Sequence, residues 1–213
     1  TLPAFAKALS IGVSALELDV SVTADDVLVI SHNRRLNPDI TRGPDGKWIE
    51  GPGPAIRSLT YAQLERYDVG RIKPGTRYAA AFPDQEPMDG ARIPRLADLF
   101  ALVRKSGNTR VRFDIETKIS PEAPNEAPPP EAFARMLVDA IRAAGMERRC
   151  TIESFDWRTL QAVQKPELAS REMLRVGRTG IVSFPNFGYW KIRWQLLATG
   201  RMPVTDYLPY EWY

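Results

Sequence analysis

A chain of 213 residues, 44% of them hydrophobic, is long enough to bury one sizeable core, and its length does not require a second domain. The formal charge of +3 comes from 29 basic and 26 acidic residues spread along the sequence, which argues against a nucleic-acid partner. Cys150 is the only cysteine, which excludes an internal disulfide and a cysteine-rich zinc site. Because no apolar run approaches the roughly 20 residues that span a bilayer, we expect no integral membrane segment.

The first elements are predicted from two different hydrophobic periods. Apolar residues at helical spacing predict a helix over residues 1–9. Residues 14–20 alternate strictly, which predicts a strand with aliphatic side chains on one face and Glu17 and Asp19 on the other.

The middle of the chain combines a buried strand with a long irregular excursion. The apolar run 27–31 is typical of a strand buried on both sides, and His32 follows it. Residues 33–59 are rich in Pro, Gly and Asp and predict a loop. Thr60 and Gln63 have capping-box spacing, which predicts a short helix. A longer helix is predicted over residues 94–105.

The remaining elements continue the alternation of strands and helices. Residues 110–118 and 150–155 predict strands, and an amphipathic helix between them ends near Gly145. A further helix is predicted from a cap at Asp156 through Gln164. This alternation predicts a parallel sheet of α/β type.

Charged residues on the predicted strands point to a cation and a phosphate. Glu17 and Asp19 lie roughly 7 Å apart on one strand face, close enough to bind one hard cation together. Asp114, Glu116 and Lys118 repeat this arrangement on another strand, where the lysine could neutralise a phosphate. The alternative at this point is that both sets face water, at a sheet edge or in surface salt bridges.

His32 is the only histidine, and a lone histidine is more often structural than catalytic. Its position after an apolar strand favours function, because catalytic side chains gather at the carboxyl ends of strands in α/β barrels. We therefore interpret His32 as a general acid or base.

Short motifs in a fixed order run through about three quarters of the chain. They are Gly12-x-x-x-x-Glu17-Leu-Asp19-Val, Thr23-x-Asp25-x-Val-Leu-Val-Ile-Ser-His32, Ser58-Leu-Thr-x-x-x-Leu-x-x-Tyr67-Asp68-Val-Gly70, Ile93-Pro-x-Leu96, Ile115-Glu116-Thr-Lys118 and Ser154-Phe155. Together they resemble the glycerophosphodiester phosphodiesterase family. The resemblance implies a TIM-type (β/α) barrel, incomplete at its N-terminus and irregular at its C-terminus, in a single domain over residues 1–213. It is strongest over residues 1–165 and leaves residues 166–213 unassigned.

The resemblance also implies an activity and a cofactor. It implies hydrolysis of small-molecule glycerophosphodiesters to glycerol 3-phosphate and an alcohol, with one divalent cation, Ca²⁺ or Mg²⁺. Glu17, Asp19 and Glu116 would be the metal ligands.

Three further residues receive roles from the same resemblance. His32 would be one of two catalytic histidines, Lys118 would stabilise the phosphoryl charge, and Glu153 would lie near the substrate. The sequence departs from the family pattern at Asn33, where an aspartate is usual. The family's opening His-Arg-Gly strand and the Pro-Glu-Asn before its Thr-Leu pair have no counterpart in the sequence, which begins at Thr1.

Two other readings remain open from the sequence. One is a truncated or degenerate barrel that binds without catalysis, and the other is a related phospholipase of the sphingomyelinase D type. The alcohol moiety, the oligomeric state and the compartment are not fixed, although family relatives suggest export to the periplasm or the medium.

Overall fold

The sheet at the centre of the protein has four strands in the spatial order β2-β1-β3-β4. A computed structural model describes residues 1–164, so the predictions for residues 166–213 lie outside the described part of the chain. The strands are β1 (Ala15–Val22), β2 (Leu28–Ile30), β3 (Arg112–Thr117) and β4 (Cys150–Glu153).

Six α-helices accompany these strands in the described residues, and every helix and strand predicted within residues 1–164 is present in the predicted order, with α3 in addition. They are α1 (Leu2–Ile11), α2 (Tyr61–Leu64), α3 (Arg77–Ala81), α4 (Leu96–Lys105), α5 (Pro130–Ala143) and α6 (Trp157–Val163). The predicted caps also form, since Thr60 and Gln63 make a capping box and Asp156 accepts a hydrogen bond from the backbone N–H of Arg158. Within residues 1–164, none of the helices is both long and apolar enough to cross a bilayer.

The prediction of a parallel sheet is wrong for one strand. β1 pairs in parallel with β3, and β3 with β4, but β2 runs antiparallel to β1 with Val20 opposite Ile30. Only residues 23–27 separate β1 from β2, and a parallel pair needs a crossover of about a dozen residues or more. The two strands therefore form a hairpin, in which Asp26 adopts a positive φ of 61°.

The main hydrophobic core lies on one face of this sheet. The aliphatic residues of β1 alternate with its acids and pack against side chains of α4 and α5. Phe100 of α4 meets Phe113 of β3 edge to face, with ring centroids 5.1 Å apart. Because one face of β1 and β3 is covered by these helices, the charged residues of both strands occupy the opposite face.

The long segment between β2 and α4, residues 31–95, is called the excursion below and has a second, smaller core of its own. Leu36, Ile56 and Leu64 are buried in it with Val29 of β2. Arg42 forms an ion pair with Asp68, whose carboxylate also accepts hydrogen bonds from two backbone amides. The sequence predicts an irregular stretch here, and the structure instead contains α3, a helix of five residues whose cap is Thr76.

Truncating the aromatic centre of the main core should destabilise the protein strongly. Phe113 has no exposed surface, so we expect Phe113→Ala to lower the free energy of unfolding by about 3–5 kcal/mol. Phe82→Ala is the matched control, because 52% of Phe82 is exposed, and we expect a loss of roughly 1 kcal/mol or less. Urea denaturation followed by far-ultraviolet circular dichroism measures both, and equal losses would contradict this description of the core.

Candidate metal centre

Three carboxylates from two neighbouring strands converge on the polar face of the sheet. Glu17 and Asp19 come from β1 and Glu116 from β3, and one oxygen from each lies within 4.8 Å of the other two. The parallel register causes this convergence, since Asp19 is directly opposite Glu116. Glu17 joins them because it is two residues before Asp19 and so projects from the same face.

Lys118 lies between two of these carboxylates, just past the end of β3. Its Nζ is 2.7 Å from Asp19 Oδ1 and 2.8 Å from Glu116 Oε1. All three side chains are only 13% exposed. The backbone N–H of Lys118 donates to the carbonyl of Val20, which fixes the lysine beside β1. The sequence-predicted residues Asp19, Glu116 and Lys118 are therefore in direct contact.

The excess of negative charge in this cluster favours the binding of a cation. Burial is the largest effect on Lys118 and acts to lower its pKa, but hydrogen bonds and charges from Asp19 and Glu116 outweigh it and raise that pKa, so the amine stays protonated. Desolvation and the neighbouring carboxylates raise the pKa of Glu17. Desolvation also raises the pKa of Glu116, against the opposing effect of Lys118. Three carboxylates beside one ammonium leave two formal negative charges.

The donor set fits a hard divalent cation. Ca²⁺ and Mg²⁺ bind oxygen ligands at roughly 2.0–2.6 Å, so oxygens on one ion lie at most about 4–5 Å apart. The three carboxylate oxygens meet this limit, and a charge of +2 would balance the cluster. Glu153 of β4 is paired with Glu116 in the sheet register. It is not one of the three described carboxylates whose oxygens converge. Burial raises the pKa of Glu153, and the negative charges of Asp114 and Glu116 raise it further.

His32 follows β2, which is paired with the strand that carries Glu17 and Asp19, but it does so in a different way from the one predicted. Because β2 is antiparallel, His32 does not follow the carboxyl end of a parallel strand. The backbone N–H of Ser31 instead donates to the backbone carbonyl of Asp19, so His32 directly follows a residue that is hydrogen-bonded to the main chain of a cluster residue. The ring is exposed, and its Nδ1 is 2.7 Å from Oδ1 of Asn33.

One residue close to this region is not predicted from the sequence. Glu126, in the Pro-rich loop after β3, binds both Arg34 and Arg35 near His32. No local pattern signals this contact, because it joins residues about ninety positions apart in two irregular segments.

Comparison with known proteins assigns the chain to a family. The model of the glycerophosphoryl diester phosphodiesterase family matches residues 1–179, more than four fifths of the chain. The chain belongs to this family. The family's barrel fold agrees with the α/β arrangement described above, with its mixed sheet.

The chain is similar to individual family members over about half of their length. The glycerophosphodiester phosphodiesterase of Caldanaerobacter subterraneus subsp. tengcongensis is 28% identical over 169 residues, which are 78% of this chain and 56% of that protein. A crystal structure from Silicibacter pomeroyi, assigned as a glycerophosphoryl diester phosphodiesterase, is 33% identical with a TM-score of 0.71, covering 83% of this chain and 56% of that one. A glycerophosphodiester phosphodiesterase structure from Agrobacterium tumefaciens is 25% identical with a TM-score of 0.53, covering 79% and 56%.

A second similarity is confined to the C-terminal part of the chain. The family model of methionine biosynthesis protein MetW matches residues 150–213. The bifunctional methionine biosynthesis protein MetXA/MetW of Rhodopirellula baltica is 51% identical over 45 residues, 21% of this chain and 7% of that protein. Most of this match falls outside the described residues, and none of the three clustered carboxylates lies within it.

Removing one carboxylate of the cluster should weaken cation binding. We expect Glu116→Gln to lower the affinity for Ca²⁺ or Mg²⁺ by about ten-fold or more, because losing a unit charge near the ion costs on the order of 1–4 kcal/mol. Isothermal titration calorimetry measures this change. Glu50→Gln, at an exposed carboxylate of the excursion, is the control and should leave the affinity unchanged. Equal affinities of Glu116→Gln and the unaltered chain would show that the cation binds elsewhere.

Removing the lysine should have the opposite effect. Lys118 occupies oxygens of Asp19 and Glu116 and would compete with a cation for them, so we expect Lys118→Met to raise the Ca²⁺ or Mg²⁺ affinity by roughly ten-fold. The same calorimetric titration measures this, with circular dichroism to confirm that the variant folds. A folded Lys118→Met chain with unchanged or weaker affinity would contradict the proposed competition.

Proposed function

We propose that this chain carries part of the active site of a metal-dependent enzyme that hydrolyses glycerophosphodiesters to glycerol 3-phosphate and an alcohol. The single observation that carries the proposal is the convergence of Glu17, Asp19 and Glu116 with Lys118 on the polar face of the two inner strands of the sheet. Membership of the glycerophosphoryl diester phosphodiesterase family supports the choice of substrate class.

The proposed cofactor is one Ca²⁺ or Mg²⁺ ion held by the three carboxylates. When bound, such an ion supplies Lewis-acid stabilisation of charge on phosphoryl oxygens. Lys118 adds a protonated amine at the same place, because contact with Asp19 and Glu116 keeps it charged. A phosphodiester placed there would meet positive charge despite the acidic residues that line the site.

His32 is the proposed proton-transfer group. The amide oxygen of Asn33 can only accept a hydrogen bond, so Nδ1 of His32 carries the proton in this contact. Nε2 of a neutral ring then has a free lone pair and can accept a proton from an attacking water. Asn33 orients the ring as an aspartate would, but it adds no negative charge to stabilise an imidazolium.

The geometry does not favour a barrel that binds without catalysis. Grouping three carboxylates within 4.8 Å on a sheet opposes folding through like-charge repulsion and desolvation. A domain that serves only as a scaffold gains nothing from that arrangement, whereas a metal-dependent hydrolase requires it.

The proposal predicts metal-dependent turnover of glycerophosphocholine by the full-length protein. Release of glycerol 3-phosphate, measured with a coupled dehydrogenase assay, should stop in EDTA and return with added Ca²⁺ or Mg²⁺. We expect His32→Ala to lower kcat by about 10²- to 10⁴-fold, the usual worth of general acid-base assistance, and Glu116→Ala to abolish activity without unfolding.

Glu50→Ala is the matched control and should keep full activity, because Glu50 is an exposed carboxylate outside the cluster. Undiminished turnover in EDTA, or in either His32→Ala or Glu116→Ala, would overturn the proposed mechanism.

A further inference from the structure

A single carboxylate, Glu126, ties the loop after β3 to the segment that carries His32. It ends the 3₁₀ turn Pro124–Glu126, and it accepts hydrogen bonds from Arg35 Nε at 2.6 Å and from Arg34 Nε at 3.1 Å. Glu126 is only 18% exposed, whereas Arg34 and Arg35 are 31% and 48% exposed, so the carboxylate is the shielded partner in both contacts. Burial acts to raise the pKa of Glu126, but the two guanidinium groups outweigh it and hold that pKa below its usual value.

The two arginines make further hydrogen bonds to the segment before α2, one through the backbone of Arg34 and one through the side chain of Arg35. The carbonyl of Arg34 accepts from the N–H of Ile56, and Nη1 of Arg35 donates to the carbonyl of Gly53. The 3₁₀ turn Ile56–Ser58 also contacts the turn that holds Glu126. The arginine pair is therefore fixed between the excursion and the loop after β3.

Along the chain, His32 lies between Ser31, which is hydrogen-bonded to the backbone of Asp19, and the arginine pair. On its N-terminal side, the N–H of Ser31 donates to the carbonyl of Asp19, while Oγ of Ser31 donates to the carbonyl of Asn33. On its C-terminal side, Arg34 is held by Glu126. The His32 side chain is exposed and contacts Asn33, so its placement depends on the two ends of this short segment.

We propose that Glu126 is a positioning residue for His32. By binding Arg34 and Arg35, it holds the segment that carries the imidazole at a fixed place relative to Asp19 and Glu116. This role rests on the proposed function of His32 in proton transfer. Rate constants of such reactions fall steeply when a catalytic group is displaced by about 1 Å, which is why an anchor outside the site matters.

The sequence offers a direct probe, because His32 is the only histidine in the chain. In a ¹⁵N-labelled protein whose affinity tag contains no histidine, the imidazole gives one set of resonances. We expect Glu126→Gln to shift and broaden these resonances, because an amide cannot hold both guanidinium groups. Arg34→Gln, which removes one arm of the contact from the other side, should shift the same resonances.

Two matched variants separate positioning from a general loss of structure. Glu126→Asp keeps the charge and should restore most of the imidazole spectrum. Glu122→Gln changes an exposed carboxylate of the same loop and should leave the spectrum unchanged. Imidazole resonances of a folded Glu126→Gln protein that coincide with those of the unaltered protein would overturn the proposal, and so would an equal change in Glu122→Gln.

Kinetics provide a second and independent readout. In the full-length protein we expect Glu126→Gln to lower kcat roughly ten- to hundred-fold while KM changes by about two-fold or less, since the anchor acts on His32 and leaves the metal ligands in place. The spectroscopic experiment needs no turnover. Absence of any hydrolysis would therefore overturn the proposed function, whereas an unchanged imidazole spectrum would overturn only the role of Glu126.

Discussion

The register between β1 and β3 is the constraint on which the site depends. It places Asp19 opposite Glu116, and Lys118 bridges the two carboxylates. A slip of one residue would turn the acids of β1 into the apolar core and expose its aliphatic residues. The buried side chains Leu16 and Leu18 therefore enforce the register that brings the charged groups together. Packing on one face of the sheet determines the chemistry on the other.

The hydrophobic periods of the sequence were sufficient to predict most elements and the shared face of the acids. Strict alternation in residues 14–20 and 110–118 identified β1 and β3, and the same alternation predicted that Glu17 and Asp19 project together. Contact between the two strands could not be read from periodicity, because it depends on the long connection through the excursion and α4. Their parallel pairing followed only from the expectation of an α/β fold.

The features that could not be predicted from the sequence depend on the length of a connection, on the shortness of a helix or on contacts between distant residues. β2 has the same apolar composition as a buried parallel strand, and only the short connection from β1 reveals its antiparallel direction. The helix α3 is too short to establish a period, although Thr76 and the alanines after it were a usable signal. Glu126 was missed because its two arginine partners lie in a different irregular segment.

Within this family fold, the described strands and the segment after β2 supply an anionic cluster, a largely buried lysine and a histidine on a tethered segment. The chain spans about half the length of the relatives it matches. The proposed cation site is formed by β1 and β3, so cation binding can be tested on this chain by itself. Mn²⁺ prefers the same oxygen ligands as Mg²⁺ and Ca²⁺, and it scatters anomalously. Crystals of the 213-residue chain grown with Mn²⁺ should show one anomalous peak among Glu17, Asp19 and Glu116. A strong peak elsewhere, or none among these carboxylates at millimolar Mn²⁺, would contradict the account.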